Sequence, residues 1–378
     1  MVIADLLCVL ERLAPSHLAE SWDNPGLQVG DKAAPVRSVV VALELTDAVL
    51  VEAVAAGHDT VLTHHPLLFA PVRSLVESHP RERLLRHLVA RGMNLVACHT
   101  NLDAAPGGLA EIAAEALGLR EQTPVVEASA GWFKFVGFIP REAVDSVAAA
   151  VFAAGAGGIG NYSDCAFATE GTGWFTPGVG SDPAVGEVSR PERAPEVRWE
   201  TVAPKARLKA VIRAFVAAHP YEEPAFDLYP VDDVLPRAGL GRMGSLPRGM
   251  SLRSLAEKVA LVYESPAVAW SGDGDTVVRR VAVMPGSGRG SLGSVAGRCD
   301  ALITGDLSYH DSEQAAASGL SLIDVPHGDL EWWAFKRWAR SLQKELQGSG
   351  VSIAISKEWR VPWYPLGGLV GDGGSLGE

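Results

Sequence analysis

Four apolar, strand-like runs end in imidazole or carboxylate groups. His64 and His65 follow Thr60-Val-Leu-Thr63, His99 and then Asp103 follow Leu95-Val-Ala-Cys98, His310 follows Leu302-Ile-Thr-Gly-Asp306, and His327 follows Leu322-Ile-Asp-Val-Pro326. In open α/β sheets ligands bind outside the carboxyl ends of the strands, so these groups are expected to face one crevice. His327 and Glu331 form an i, i+4 pair at a helix start, which puts both side chains on one face, where they can grip one ion. The expected ligand set is His64, His65, Asp103, His327 and Glu331. Imidazole nitrogen and carboxylate oxygen without thiolate suit zinc, iron, manganese, cobalt or nickel. Five ligands exceed a three-ligand catalytic site with open positions, so two divalent ions per chain are expected, bridged by Glu331 or Asp103. Such a pair would polarise a substrate oxygen or imine and activate water near neutral pH. Taken singly, each strand-end histidine also reads as a polar residue satisfied within the core. The adjacent pair His64-His65 is the less ordinary feature. Neighbouring strand residues point to opposite faces unless the backbone turns, and Pro66 supplies that turn.

A parallel sheet is what gathers such strand ends. Ile3, Leu6, Leu7, Leu10 and Leu13 recur at helical spacing, and residues 36–43 form a continuous β-branched run of the kind buried on both faces of a sheet. The alternation continues with a helix over 47–56, a strand over 60–63, a helix over 81–91, a strand over 94–98 and a helix over 108–117. This is an α/β fold with substantial parallel pairing. A different unit is then expected. It has a strand over 132–139, a helix over 141–154, a strand over 164–169, a Gly/Pro-rich span over 171–195, a strand over 197–202, a helix over 205–218 and a strand over 225–229. That order, β-α-β-β-α-β, is ferredoxin-like α+β. After a linker around 239–249 the first pattern resumes, with a helix over 252–262, strands over 277–284, 301–304 and 320–325, and a helix over 331–347. The expected organisation is therefore two α/β halves of one domain, 1–130 and 233–378, interrupted by an insertion over 131–232.

With 33 Lys and Arg against 45 Asp and Glu, the net charge of −12 disfavours a general binder of the nucleic-acid backbone. The 47% hydrophobic content excludes low-complexity disorder over most of the chain. Cys8, Cys98, Cys165 and Cys299 are scattered without a C-x-x-C pair, so neither a disulfide framework nor a cysteine zinc knuckle is indicated, and a reducing cytoplasm is expected. The N-terminus lacks a basic leader, and glycines interrupt the longest uncharged stretch, so no signal peptide and no membrane span are expected.

Ser21-Trp-Asp-Asn-Pro-Gly-Leu-Gln-Val-Gly30, Thr63-His-His-Pro66, Cys98-His-Thr-Asn-Leu-Asp103, Thr304-Gly-Asp-Leu-Ser-Tyr-His310 and the His327 to Glu331 pair occur in that order across nearly the whole chain. In this the sequence resembles the Nif-three-like dinuclear-metal family, also called GTP cyclohydrolase 1 type 2 homologues. The resemblance implies metal ligation by His64, His65, Asp103, His327 and Glu331, with Glu331 bridging, and a homo-oligomeric ring, commonly a hexamer, enclosing the sites. The segments 155–162 and 219–224 are similar to the insert of the long bacterial members, a ferredoxin-like unit of the signalling-PII and copper-tolerance type. One departure is Pro326-His-Gly328, where the family usually carries Gly-His-Tyr or a similar aromatic. The activity implied is that of a metal-dependent hydrolase, in its sharpest form purine ring opening of GTP, with activated water attacking C8 and a neighbouring histidine relaying protons. The alternative is a metal-binding scaffold or regulator whose insert binds a ligand or partner.

His99 and His310 are candidates to orient ligands, bind substrate or act as general acid, and Asp306 to hold an imidazole; a polar core network is the competing reading for all three. Asp23 and Asn24 lie in turn-forming sequence and read as a turn or cap as readily as a substrate contact. Gly286-Ser-Gly-Arg-Gly290 reads either as a phosphate-binding turn or as a tight strand-to-helix connection. Residues 155–160 read as a helix C-cap and turn. Trp332, Trp333, Phe335 and Trp338 are expected in the core or a subunit interface, with Lys336, Arg337 and Arg340 on the solvated side of the same helix.

Overall fold

The structure, a computed structural model, describes residues 1–128, 131–159, 162–231 and 238–359. The chain divides into two compact units, one made of residues 1–128 and 236–378 and the other of residues 129–235. The boundaries expected at 130 and 232 fall on residues outside those described.

Among its described residues the first unit holds two large sheets and a two-stranded antiparallel pair, Gly239–Leu240 with Val126–Glu127. One runs in the order Gly26–Val29, Asn94–Ala97, Thr60–Thr63, Ser38–Ala42, Ser352–Ile355. All its pairs are parallel except the antiparallel edge strand Gly26–Val29. The other runs Ala269–Ser271, Ser321–Asp324, Ala301–Thr304, Val277–Val283, Arg242–Ser251, Arg120–Thr123, parallel at its centre and antiparallel towards both edges. The period of two along each strand decides the layering. Val39 and Val41 join Val281, Val283 and Ile303 in one core together with the helices Ile3–Leu13, Leu109–Ala116, Leu252–Val262 and His327–Glu345. Val40 and Ala42 face the helices Asp47–Ala55 and Pro80–Arg91, and Leu302 and Leu322 face Tyr309–Ala317. Strands apolar on both faces thus carry helices on both faces. Trp332, Trp333, Phe335 and Trp338 are all buried in the core between the sheets, so the tryptophan cluster is packing.

Several expectations are corrected. The stretch 239–249 is no linker: Gly239–Leu240 and Arg242–Ser251 are strands, the second pairing with Val277–Val283 on one side and Arg120–Thr123 on the other. Its glycines serve close approach, since a Cβ at Gly244 would sit 2.6 Å from the Arg120 carbonyl oxygen. The two halves also exchange strands. Ser352–Ile355, from the end of the chain, extends the N-terminal sheet, and Arg120–Thr123 extends the C-terminal one. Neither half therefore has a complete sheet without the other.

In the second unit the order is strand Trp132–Pro140, helix Val144–Ala153, strands Ala166–Phe175 and Glu192–Pro204, helix Leu208–Ala218 and strand Phe226–Val231. The sheet order is Phe226–Val231, Trp132–Pro140, Glu192–Pro204, Ala166–Phe175, antiparallel throughout. Phe135, Ile139, Val197 and Trp199 bury one face against Val147, Val151, Val211 and Phe215 of the two helices. Gly137 admits that packing, since a Cβ there would meet the Phe215 ring at 2.5 Å. The strands Ala166–Phe175 and Glu192–Pro204 are longer than the sequence indicated, which shrinks the Gly/Pro-rich loop to 176–191. Among the described residues no helix is long and apolar enough to cross a membrane.

Candidate metal centre

The centre forms where the strands Thr60–Thr63 and Asn94–Ala97 end opposite the first turn of the helix His327–Glu345. After Thr63 the backbone folds so that the amides of both His64 and His65 donate to the Leu43 carbonyl, at 3.1 and 2.9 Å. This breaks the strand alternation and lets the two rings lie side by side, with centroids 5.3 Å apart. His64 is fully buried, and its Nδ1 lies 2.8 Å from the Cys98 carbonyl oxygen. Nδ1 must therefore carry the proton, which leaves the Nε2 lone pair free to face the centre. His327 is held the same way: its Nδ1 is 2.7 Å from Asp306 Oδ2, and its Nε2 is 3.0 Å from Glu331 Oε2. Asp306 itself sits in the left-handed region at φ 58.

Glu331 is the hub. It is 3% exposed, with His65 Nε2 at 2.9 Å and His327 Nε2 at 3.0 Å from Oε2, and His64 Nε2 at 3.6 Å from Oε1. Asp103 Oδ1 lies 3.7 Å from His64 Nε2. Both of these last atoms are buried without a hydrogen-bond partner. Buried polar atoms are nearly always satisfied, so two orphans facing each other beside a carboxylate fit a cation held between them. Two triads have donor atoms within 4.8 Å of one another, His64 with His65 and His99, and His65 with His327 and Glu331. His/Glu donors so arranged form a group able to hold a divalent ion.

Protonation follows from the crowding. Burial opposes charge on Glu331, but the His327, His64 and His65 rings outweigh it and hold the carboxyl well below its usual range. Burial likewise opposes charge on His65 and His327, yet Glu331, with Glu44 and Asp306 respectively, raises them to about 10 and about 9. Asp103 is raised to about 7, first by burial and then by Glu331, against the pull of His64. Protons on imidazole thus occupy the electrostatic place of a metal cation.

The surrounding residues divide cleanly. His99 lies beside the centre, its ring 5.2 Å from that of His64, and its Nδ1 is 2.7 Å from Asp23 Oδ1. Asp23 also accepts from the Thr100 amide and hydroxyl. Burial would raise its pKa, but these hydrogen bonds prevail and hold it at about 2. The Asp23 turn therefore buttresses an imidazole of the centre, a role that the turn-like sequence did not reveal. Glu44, at 3.9 Å from His65 Nδ1, was missed because nothing in its strand-end sequence distinguishes it. His310 is not brought in: its side chain is 89% exposed on the helix Tyr309–Ala317 and faces Glu313. A helix start there, capped by Ser308 and Asp311, turns the histidine outward.

The glycine turn 286–290 is a close-packing device. Gly286, at φ 75, leaves the space that Glu331 Oε1 occupies, while the Gly288 amide is committed to the Thr304 hydroxyl at 2.7 Å. The phosphate-binding alternative loses that donor. Gly328 has a comparable explanation, since any side chain there would collide with the Trp359 ring. Trp359 thus covers the helix start at Gly328.

A family model described as Duf34/NIF3 (NGG1p interacting factor 3) matches residues 1–362. A Mycobacterium tuberculosis protein named GTP cyclohydrolase 1 type 2 homolog is 38% identical over 367 residues, covering 96% of each chain. A Bacillus subtilis protein of the same name is 37% identical over 324 residues, covering 85% of this chain and 87% of that one. The crystal structure of a Bacillus cereus protein related to NIF3 superposes with a TM-score of 0.74 at 34% identity, covering 97% of this chain and 99% of that chain.

Proposed function

Because the chain belongs to the Duf34/NIF3 family, we propose that it is a dinuclear divalent-metal protein acting as a hydrolase on a purine nucleotide or similar small substrate. The proposed ligands are His64, His65, Asp103, His327 and Glu331, with Glu331 bridging. The observation that carries this is the pair of buried, unpartnered atoms His64 Nε2 and Asp103 Oδ1, 3.7 Å apart on the Oε1 side of Glu331. The Oε2 side meets His65 and His327, so the carboxylate is used on both of its oxygens. Zinc, iron or manganese suits this donor set, and bound in pairs such ions supply Lewis acidity and lower the pKa of water towards neutrality.

The chain's own residues supply the rest. The Cys98 carbonyl and Asp306 orient His64 and His327 through their Nδ1 atoms. Asp23 fixes the proton of His99 on Nδ1, which leaves Nε2 to take up or deliver a proton at the reacting atoms. Trp22 and Phe69 are more than half exposed, with ring centroids 6.1 and 6.4 Å from His99. An exposed aromatic pair beside the centre suits stacking on a planar base, and the relatives' name makes GTP the substrate to test first.

The insert is read as ferredoxin-like on its β-α-β-β-α-β order and antiparallel sheet. A cytoplasmic homo-oligomeric ring, a hexamer as the family resemblance implies, belongs to the same proposal. A scaffold or regulatory role is the second reading, favoured by one observation: the insert is a compact unit with a core of its own, which the centre does not need.

The test is metal content per chain by plasma mass spectrometry, followed by incubation of the loaded protein with GTP while the purine absorbance is monitored. About two ions per chain and ring opening are expected. Intact GTP with fully loaded protein, under conditions that support a known cyclohydrolase, would reject the substrate. Folded protein that takes up no divalent ion would reject the metal reading itself.

A further inference from the structure

A cavity of about 660 Å³ lies wholly within the 129–235 unit, remote in character from the metal centre. Its walls include the aromatic rings of Phe138, Phe175 and Tyr221, and one buried charge, Glu196. Glu196 is only 9% exposed. Its carboxylate packs over Gly173, where any side chain would collide with it; a glycine inside a strand, ordinarily a weakness, here makes room for a charge.

No cation pairs with Glu196 among the described residues. Of the other charges on the wall, Arg198 pairs with Glu200 at 2.7 Å and Glu170 with Arg141 at 2.9 Å, so the one cation there is already taken. A buried carboxylate without a counter-charge is costly, and a ligand bearing the missing charge removes that cost. Beside it the buried Tyr221 hydroxyl has Glu196 as its neighbouring acceptor. Burial first, and then the neighbouring Glu196, raises it to about 12, so it stays protonated. Glu196 and Tyr221 thus form one polar corner of the cavity that holds no cation.

The chemistry of the ligand follows by elimination. Glu170, Glu196, Glu222 and Glu223 on the wall exclude an anion. A metal ion needs converging donors, and both such groups found among the described residues lie in the other unit. What remains is a cation with an apolar body, because the aromatic walls offer both contact area and negative ring faces. We propose that this cavity binds a small organic cation, an ammonium or guanidinium on an apolar or aromatic body, with its charge on Glu196 and its body against Phe138, Phe175 and Tyr221.

The probe is phenylethylammonium, with phenylpropanol and phenylpropanoate as neutral and anionic controls of similar size, titrated into the full chain by calorimetry and saturation-transfer NMR. The cation is expected to bind about tenfold or more tightly than either control. Glu196→Gln should abolish that preference, and Gly173→Ala, which displaces the carboxylate, should weaken it. Metal content and melting temperature should hold in both variants. Tyr221→Phe, a milder change, should reduce affinity about threefold and serves if the others fail to fold. No binding of the cation up to about 10 mM, equal affinity for all three probes, or an unchanged preference in Glu196→Gln would overturn the assignment.

Discussion

Glu331→Gln removes the charge towards which three imidazoles point, and its effect can be worked out before any ion is added. The nitrogens of His65, His327 and His64 lie 2.9, 3.0 and 3.6 Å from its oxygens. At an effective dielectric of about 20, each of the two closer pairs is worth about 5.5 kcal/mol before desolvation, and removing one partner of a buried pair costs about 3 to 5 kcal/mol net. The sign of the pH dependence is fixed by His65 and His327, raised to about 10 and about 9. Both exceed the value of about 6.5 in the unfolded chain, so the folded protein binds these protons more tightly. Their contribution is fully present below about pH 6.5 and is lost as pH rises through about 9 and then about 10. In the variant the imidazoles lose their anchor and titrate nearer their ordinary value. Urea melts of metal-free protein from about pH 6 to about pH 11 should therefore show the wild type losing stability at alkaline pH and the variant nearly flat. The gap between them should be widest at the acid end of that range, near about pH 6, and should close as pH rises through about 9 and about 10. Two parallel curves would refute the argument, because they would mean that Glu331 does not hold the two protons.

Three further outcomes are expected. Metal loading of the wild type should release protons and strengthen with pH between about 6 and 9, seen as a buffer-dependent heat in calorimetry, since an ion displaces protons from His65 and His327; a buffer-independent heat would contradict it. Gly286→Ala should lower metal occupancy while costing about 1 kcal/mol or somewhat more in stability, because φ 75 disfavours a side chain and the added methyl would collide with Glu331. Asp23→Asn should cost about 1 to 3 kcal/mol and reduce turnover more than metal content, whereas His310→Ala should change stability by less than about 0.5 kcal/mol and leave occupancy alone. Loss of metal in the His310 variant would show that the exposed placement is wrong.

The difference between Asp306 and His310 explains how far sequence can reach. They stand four residues apart and follow the same strand, yet Asp306 meets His327 Nδ1 at 2.7 Å while His310 points to solvent. A capped helix begins between them, so Asp306 leaves the strand in the left-handed region before the helix, while His310 takes its direction from the first helical turn. Asp23 was obscured for the opposite reason. Its local sequence is that of a turn, and only the long-range approach of His99 and Thr100 gives the carboxylate its partners. Gly286, Gly305 and Gly328 look like loop punctuation in the sequence, but each is small because a neighbour distant along the chain, Glu331, His327 or Trp359, needs the space.

What the sequence determined by itself was the local alternation and its chemistry. Continuous β-branched runs must be buried on both faces, so they imply strands covered by helices, and the donors that follow neighbouring parallel strands, His64, His65 and His99, are then brought to one sheet end. The i, i+4 spacing of His327 and Glu331 likewise dictates a shared helix face. The tertiary structure alone decided which donors meet. The fold at Thr63-His64-His65, where two amides share the Leu43 carbonyl, turns both rings inward. The exchange of Ser352–Ile355 and Arg120–Thr123 between the sheets completes both halves at once. Such pairings join residues far apart in the chain, and their energy lies in contacts that no local spacing encodes.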